Sequence, residues 1–238
     1  MRRPDLIMDV GAHAGEDTRF YLDKGFAVVA VEANPALVAN MRQCFSEELA
    51  RGFLTIEPFA IGPRDESVIF FVHKTQTIFS SLTPHLQLHP EDEFEKIEVK
   101  CISAASLFRR HGTPHYLKID IEGGELPVIL ALKDFEKPKF VSIEVSGDID
   151  ECIRHLIAFG YDRFRIVDQS LNETLACPFP PREGRFVNTR FSGHMSGPFG
   201  RETRGTWITD NQIAKAIKEL NWELQQWYDV HATASDAI

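Results

Sequence analysis

The amino-acid sequence predicts an α/β protein built on a doubly wound, mostly parallel β-sheet. Between residues 5 and 168, short apolar runs alternate with segments of helical character, which is typical of parallel strands joined by crossover helices. The first run, residues 5–10, is almost wholly apolar, as expected of a strand that is covered on both faces. A length of 238 residues with 43% hydrophobic content suffices for one domain with a sizeable core.

Residues that start or stop regular structure bound the predicted elements. Gly25 ends the first helix, and Asn34 followed by Pro35 supplies an N-cap and a first helical residue for the second. The predicted strands are residues 5–10, 27–32, 53–60, 67–73, 94–102, 114–121, 139–145, 161–168 and 185–190. The predicted helices are residues 15–24, 35–51, 104–111, a helix that begins near 122 or 123, 148–159 and 210–228. In the last helix five apolar residues share one face: Ile213, Ile217, Leu220, Leu224 and Trp227.

The turn after the first strand is typical of a nucleoside-binding site. The segment reads Asp9-Val-Gly-Ala-His-Ala-Gly-Glu-Asp-Thr, and Glu32 ends the second strand, where an acid accepts hydrogen bonds from two ribose hydroxyls. A dinucleotide fingerprint needs glycine at the position of His13, because a side chain there crowds the pyrophosphate. Acids beside the turn repel phosphate but suit the sulfonium and ammonium groups of S-adenosylmethionine, which we therefore predict as the cofactor.

The predicted cofactor residues lie at the ends of the first, second, third and fourth core strands. The turn faces the ligand, Glu32 binds the ribose, and the end of the third strand lies against the base. The full set is Asp9, Gly11, Ala12, His13, Gly15, Glu16, Thr18, Glu32, Ala33, Asn34, Ala60, Ile61 and Asp120.

Further acids follow the strand at residues 114–121. Asp120 ends this strand at the edge where parallel sheets bind ligands, so we predict that it acts as the catalytic base or aligns the acceptor. Glu122 and Glu144 are the alternates. Glu122 and Glu125 are three apart, which predicts one shared face in the first turn of the next helix.

No metal is predicted, but a hard divalent cation held by these acids stays open as an alternative. A polar stretch from Lys74 to Asp92 is long for a connection without regular structure, which is typical of lids and binding loops. Three histidines of this possible lid and of the C-terminal tail are weaker candidates for the base: His73, His85 and His194.

Four segments in this order resemble the FkbM family of S-adenosylmethionine-dependent methyltransferases: Asp9-Val-Gly-Ala-His-Ala-Gly-Glu-Asp-Thr, Val31-Glu-Ala-Asn-Pro, Leu117-Lys-Ile-Asp-Ile-Glu-Gly-Gly-Glu and Ile143-Glu-Val. The resemblance implies a class I (Rossmann-like) methyltransferase fold with seven strands, the last reversed. It also implies methyl transfer, usually to a hydroxyl oxygen of a sugar or a polyketide-like natural product. The chain departs from the family pattern at His13, where Asn is commoner, and at Ala105, where many members have an acid.

The resemblance covers about residues 5–168, which sets the expected domain organisation. Residues 1–168 are expected to form the core that binds S-adenosylmethionine. Residues 169–238 are expected to form a C-terminal extension packed on the same domain and to contribute to the acceptor site. Aromatic and basic residues of this extension suit a hydroxylated or anionic glycan: Arg185, Arg190, Arg201 and Trp207.

Composition narrows the classes of function and the expected location. The net charge of −9 argues against a protein that coats nucleic acid, so we expect a small-molecule or glycan acceptor. No apolar run is long enough for a signal peptide or an integral membrane segment. The four cysteines form no Cys-x-x-Cys pair, which favours reduced thiols in the cytoplasm. The alternatives are a dinucleotide-dependent oxidoreductase, although no Tyr-x-x-x-Lys pair occurs, and a non-catalytic nucleoside-binding module.

Overall fold

A sheet of eight strands forms the centre of the computed structural model, which describes residues 2–84, 89–220 and 226–237. His85 and Leu224 lie outside these described residues. The strands of the two sheets are β1 Arg2–Val10, β2 Ala27–Val31, β3 Leu54–Glu57, β4 Ala60–Gly62, β5 Glu66–His73, β6 Phe94–Ser103, β7 Thr113–Ile119, β8 Phe140–Glu144, β9 Arg163–Asp168, β10 Ile208–Thr209 and β11 Tyr228–Thr233. The α-helices are α1 Glu16–Asp23, α2 Pro35–Cys44, α3 Ser46–Ala50, α4 Ala104–His111, α5 Glu125–Ala131, α6 Ile149–Ala158 and α7 Asp210–Lys218.

The main sheet has the spatial order β10-β9-β11-β8-β7-β1-β2-β3. The strands from β8 to β3 pair in parallel, whereas β11 runs antiparallel to both β8 and β9. The predicted doubly wound, mostly parallel sheet with its last long strand reversed is therefore confirmed. The sheet has eight strands rather than the expected seven, because the two-residue strand β10 pairs with the outer edge of β9.

The predicted strand at residues 53–60 is two strands in different sheets. Pro58 has no N–H to continue the ladder, and the chain leaves the main sheet at this residue. After it, β4 pairs with β6, and β6 pairs with β5, so these three form a small second sheet. The end of β4 lies beside the carboxyl edge of the main sheet, where its residues line the cavity described below.

The last third of the chain differs most from prediction. The segment 185–190 forms no strand. The predicted helix 210–228 ends at Lys218, and Tyr228 begins β11. All six residues of β11 are buried, because the strand lies between β8 and β9 and its backbone pairs on both sides.

Two other helices begin or break at a different residue from the one predicted. The helix over residues 35–51 is interrupted at Phe45 and continues as α3. Asn34 caps α2 as predicted, since its side chain accepts a hydrogen bond from the N–H of Ala36. The helix expected near residue 122 begins at Glu125, after two glycines.

Both faces of the main sheet are covered. On β1, Leu6 and Met8 pack into a cluster formed with α4, α5, α6 and α7. Ile7 points the other way, into a second cluster formed with α1 and α2. Phe191 and Phe199 of the C-terminal extension complete this second cluster, and Phe199 stacks on Tyr116 of β7 with ring centroids 4.8 Å apart. The extension therefore takes part in the core.

Candidate active site

A cavity of about 1190 Å³ lies over the carboxyl ends of β1, β2, β7 and β8. Parallel α/β sheets bind ligands at this edge. The predicted lid supplies residues 77–84, here called the cover segment, and His89 to the lining. Residues 193–196, here called the tail loop, line the cavity as well. Segments distant in sequence thus enclose the strand ends.

The turn after β1 passes close to the loop that follows β7. Gly11 adopts a φ of +84°, and a Cβ atom added there would lie 1.7 Å from the carbonyl oxygen of Asp120. The Asp120 N–H donates to the carbonyl oxygen of Val10 at 2.9 Å, and the N–H groups of Gly11 and Ala12 donate to that of Val31 at 3.0 Å. This backbone approach requires glycine and holds the turn against Asp120.

The carboxylate of Glu32 joins the turns that follow β1 and β2. Its Oε2 accepts a hydrogen bond from the His13 N–H at 2.9 Å, and its Oε1 accepts one from the Asn34 N–H at 2.7 Å. Burial raises the pKa of Glu32, although these two donors oppose the rise. An ionised carboxylate has about four acceptor sites, so two remain for hydroxyl groups in the cavity.

The side chain of His13 connects the turn to the cover segment. Its Nε2 lies 2.8 Å from Thr77 Oγ1, and its backbone adopts a φ of +50°. Its Nδ1 lies 3.9 Å from the carboxylate of Glu16. A hydrogen bond from His13 lowers the pKa of Glu16. The residue that the sequence singled out therefore fixes the edge of the cavity.

Lys118 is a buried cation beneath the turn. Its Nζ lies 3.3 Å from Asp9 Oδ1, 3.5 Å from Asp17 Oδ2 and 3.3 Å from Asp120 Oδ2. The same ammonium donates to the carbonyl oxygen of Gly11 at 3.1 Å. Burial alone would lower the pKa of Lys118, but the three carboxylates raise it well above its ordinary value. The ammonium stays charged and holds these carboxylates and the turn together.

Asp17 links this network to the C-terminal extension. Both of its carboxylate oxygens accept from the Ser196 N–H at 3.0 Å. Burial raises the pKa of Asp17 to about 6, against the opposing charge of Lys118. The tail loop is therefore anchored directly on the first turn of α1.

Three carboxylates meet on one wall of the cavity. Ligand oxygens of Asp120, Glu122 and Glu144 lie within 4.8 Å of one another. Burial, and then the charges of Asp120 and Glu125, raise the pKa of Glu122 to about 8. Burial, followed by the charges of Asp120, Glu122 and Asp229, raises the pKa of Glu144 well above its ordinary value. We call Asp120, Glu122 and Glu144 the acid cluster.

Glu122 precedes α5, so the predicted face shared with Glu125 is wrong. Glu122 adopts a φ of +57° and lines the cavity. Glu125 instead accepts hydrogen bonds from the N–H groups of Ile121 at 3.3 Å and Gly123 at 3.2 Å, and from Ser146 Oγ at 3.1 Å. The two glycines delay the helix until Glu125, so the two residues do not share its first turn.

The structure brings most of the predicted site residues to this cavity. Those that line it are Gly11, Ala12, His13, Glu16, Glu32, Ala33, Ala60, Ile61, Asp120, Glu122 and Glu144. His194 of the tail loop also lines it.

Four predicted cofactor residues lie behind the cavity wall: Asp9, Gly15, Thr18 and Asn34. Asp9 is buried beneath Lys118, and Thr18 Oγ1 donates to Asp9 Oδ2 at 2.6 Å. A Cβ atom on Gly15 would lie 2.7 Å from a ring carbon of Phe45, so this glycine serves helix packing. Asn34 caps α2. These residues support the lining residues from behind and do not themselves line the cavity.

Basic residues of the extension do not surround the cavity. Arg185 bonds to the carbonyl of Asp23, and Arg201 Nε donates to Glu183 at 2.9 Å. The guanidinium carbon of Arg165 lies over Trp207, 4.1 Å from the centroid of the Trp207 ring. Arg190 is not among the cavity-lining residues either. The expected recognition of an anionic glycan by these side chains therefore has no geometric support.

Sequence reasoning missed several functional positions. Lys118 lies within a motif quoted above, in which the predicted roles belong to the acids Asp120 and Glu122. Asp17 follows the turn and was also passed over. Trp227 and Asp229 line the cavity, but Trp227 falls in the segment predicted as helix and Asp229 follows that segment, where no element is predicted. An alternating pattern over residues 228–233 was the available signal.

The family model described as the methyltransferase FkbM domain matches residues 9–166. Among solved structures, the chain is similar to a methyltransferase FkbM from Methylobacillus flagellatus KT, with 17% identity and a TM-score of 0.47. That match covers 71% of this chain and 40% of the other, so the chain spans about two fifths of that protein's length.

Two further solved structures resemble the chain. The precorrin-6y C5,15-methyltransferase from Geobacter metallireducens GS-15 has 11% identity and a TM-score of 0.41, over 99% of this chain and 82% of that one. The precorrin 8w decarboxylase from Methanobacterium thermoautotrophicum has 12% identity and a TM-score of 0.42, over 98% and 83%. A search of curated proteins finds no significant match.

None of the described helices has the length and apolar character needed to cross a bilayer. The family model covers well over half of the chain, including the turn, Glu32 and the acid cluster. The fold is that of a class I methyltransferase, with a reversed last strand between β8 and β9. The chain belongs to the FkbM family of S-adenosylmethionine-dependent methyltransferases.

Proposed function

We propose that the chain methylates a hydroxyl oxygen of a small-molecule or glycan acceptor. The observation that carries this proposal is the backbone contact between the cofactor turn and the loop of Asp120. That contact puts a candidate base, Asp120, into the same cavity as Glu32, the candidate ribose-binding acid. A methyl donor and an acceptor hydroxyl must meet in such a place.

The charges around the cavity support a cationic cofactor. The acids among its lining residues are Glu16, Asp17, Glu32, Asp120, Glu122, Glu144, Asp148 and Asp229. Among the described lining residues, Lys118 is the only lysine or arginine, and it already contacts three carboxylates. This lining attracts a sulfonium and repels a pyrophosphate, which disfavours the dinucleotide alternative and a nucleic-acid acceptor.

The residues present fit S-adenosylmethionine, and each end of the cavity has a proposed role. Glu32 has free acceptor capacity for the ribose hydroxyls after binding two N–H groups. Ala60 and Ile61, at the end of β4, offer an apolar surface for the adenine. The turn from Gly11 to His13 also lines the cavity.

S-adenosylmethionine supplies a methyl group on a positively charged sulfur. Asp120, whose side chain is 43% exposed, accepts the hydroxyl proton while the oxygen–carbon bond forms and the carbon–sulfur bond breaks. S-adenosylhomocysteine leaves with the electron pair. Alignment within the cavity supplies up to about 7–11 kcal/mol of the barrier reduction, and the base about 10²- to 10⁴-fold.

The acceptor side of the cavity favours a neutral hydroxylated ring. Trp227 is 39% exposed and lines the cavity together with Phe79 of the cover segment. Aromatic faces pack against the apolar face of a sugar, while carboxylates accept from its hydroxyls. The lack of arginine among the described lining residues argues for a neutral rather than an anionic glycan.

A parallel thermal-shift measurement tests the cofactor. S-adenosylhomocysteine, NAD and NADP are each added at about 100 times the dissociation constant measured for S-adenosylhomocysteine. Binding to the native state alone stabilises it by about 2.7 kcal/mol at that ratio. For a chain of this size this corresponds to a rise in Tm of about 5–11 °C. A rise with NAD and none with S-adenosylhomocysteine would replace the proposal with the oxidoreductase.

Methylation of a panel of sugar nucleotides and glycans, with a labelled methyl donor, tests the acceptor and the base. Asp120→Asn should lower kcat by about 10²- to 10⁴-fold and leave S-adenosylhomocysteine affinity nearly unchanged. Asp148→Asn is the matched control, since Asp148 is an exposed acid on the same cavity outside the acid cluster. Equal activity of Asp120→Asn and wild type would remove Asp120 as the base.

A further inference from the structure

One buried carboxylate beside the acid cluster has no partner. It belongs to Asp229, a residue only 8% exposed that lines the cavity, and the side chain forms no hydrogen bond or ion pair within residues 2–84, 89–220 and 226–237. In the antiparallel pairing of β8 with β11 it lies directly opposite Glu144. Side chains at such positions share one face with Cβ atoms about 4.5–5.5 Å apart, and like charges there repel. A proton on one of the two carboxylates, or a cation in the cavity, must offset this repulsion.

Two carboxylates of the acid cluster also lack a partner. The side chains of Glu122 and Glu144 have neither a hydrogen bond nor an ion pair in the described part of the chain, and Asp120 pairs with Lys118. Two oxygens that bind one ion are at most about 4.2 Å apart for Mg²⁺ and about 5.2 Å apart for Ca²⁺. The ligand oxygens of the cluster all lie within 4.8 Å of one another, so they fit Ca²⁺ as they stand and a smaller ion after a small side-chain rotation.

We propose that Asp120, Glu122 and Glu144 bind one divalent cation, with Asp229 as the further carboxylate that faces it. Hard oxygen donors without sulfur or nitrogen favour Mg²⁺ or Mn²⁺ over zinc. The ion lies at the acceptor end of the cavity and away from Glu32, where it orients an acceptor through its hydroxyl oxygens and acidifies one of them. This catalytic role rests on the proposed methyl transfer, whereas the binding of the ion does not.

A second group with metal-ligand residue types does not qualify. His73, His89 and Glu93 also have ligand atoms within 4.8 Å of one another. However, His73 Nδ1 accepts hydrogen bonds from the N–H groups of Thr75 at 3.3 Å and Gln76 at 3.1 Å. A neutral imidazole that accepts at Nδ1 carries its proton on Nε2, which faces Glu93 at 3.1 Å. That nitrogen has no lone pair for a metal. The contact between His73 and Glu93 instead joins the two ends of the polar stretch from Lys74 to Asp92.

The experiment uses the full chain, stripped with a chelator, and Mn²⁺ alone as the probe. Isothermal calorimetry and the loss of the free-Mn²⁺ electron paramagnetic resonance signal should both give one ion per chain. Glu144→Gln and Asp229→Asn should each weaken Mn²⁺ binding by about 10- to 100-fold. Asp148→Asn should bind as wild type, because Asp148 lines the same cavity outside the cluster. Circular dichroism establishes that each variant is folded.

Three outcomes would overturn the proposal: no Mn²⁺ bound by wild type, no weakening in Glu144→Gln and Asp229→Asn, or equal weakening in Asp148→Asn. S-adenosylhomocysteine binding is measured on the same samples, in chelator. Cofactor binding without Mn²⁺ binding rejects the ion and leaves the methyltransferase assignment in place. Mn²⁺ binding without cofactor binding supports the ion and rejects the proposed cofactor site.

Discussion

Replacing Gly11 by alanine tests the closest backbone approach in the site. The new Cβ atom would lie 1.7 Å from the carbonyl oxygen and 2.8 Å from the carbonyl carbon of Asp120. Both atoms belong to the backbone, so no side-chain rotation relieves the overlap. The two loops must separate by more than 1 Å, roughly, which weakens the bond from the Asp120 N–H to Val10 at 2.9 Å. We expect a loss of about 4 kcal/mol or more in the free energy of unfolding.

Gly52→Ala is the matched control. Gly52 adopts a φ of +72°, and an added Cβ atom meets nothing within 4 Å. This variant therefore loses only the left-handed backbone preference, about 1–2 kcal/mol. Since about 1 kcal/mol shifts Tm by 2–4 °C at this chain length, Gly11→Ala should lower Tm by at least about 8 °C and Gly52→Ala by about 2–8 °C. Urea unfolding of both variants gives the two free energies. Equal losses in the two would refute the argument that Asp120 excludes a side chain at residue 11.

Two further variants test the electrostatics of the cavity. Glu32→Gln should raise the dissociation constant of S-adenosylhomocysteine by about 10- to 100-fold in calorimetry, the effect of losing a charged hydrogen bond of about 1.5–3 kcal/mol; an unchanged constant would remove Glu32 from the cofactor site. Burial, and then Asp120, raise the pKa of Asp229 well above its ordinary value, so the native state keeps a proton that the unfolded chain releases near about pH 3.9. In chelator, the unfolding free energy of wild type should therefore fall as the pH rises above about 4 and through the raised pKa. Asp229→Asn should make this dependence on pH weaker. Urea titrations at pH 5 and pH 8 measure the change for both proteins, and an equal change in wild type and variant would contradict the assignment.

Local sequence patterns predict the cofactor end of the site well. Gly11 and Glu32 each follow an apolar strand, so a few adjacent residues fix their positions at the sheet edge. Asp120 follows its strand in the same way. The parallel pairing of these strands then brings the three positions together without further information. Asp9 and Thr18 were assigned to the same motif, but a motif cannot tell which side chains turn inward to support it.

The acceptor end depends on contacts between distant segments. Asp229 and His231 alternate with Tyr228 and Val230, a pattern typical of a strand with one face in water. Both polar residues are nevertheless buried, because β8 and β9 flank the strand and helices and the extension cover it. The carboxylate of Asp229 reaches the cavity only through this placement. No local pattern specifies which pair of strands a final strand will enter.

The position of β11 also determines how much of the chain the fold needs. The strand pairs at five positions with β8 and at six positions with β9. It inserts Val230, with no exposed surface, into the main core. Without β11, the edges of β8 and β9 lose every one of these pairs and are left as open edges around a gap. The C-terminal extension also supplies Phe199 to the other face of the sheet.

A chain that ends at residue 168 should therefore show no cooperative unfolding transition in circular dichroism or calorimetry. A chain that ends at Ala234 is the control, because it keeps β11 and loses, among the described residues, only the turn Ser235–Ala237 and the hydrogen bond from the Ser235 N–H to Asp162. Its Tm should stay within about 2–4 °C of the full chain, equivalent to about 1 kcal/mol. A cooperative transition of the 1–168 chain near the Tm of the full chain would show that the sheet closes without its reversed strand. The sequence-derived boundary at residue 168 would then separate a core that folds independently from an added acceptor region.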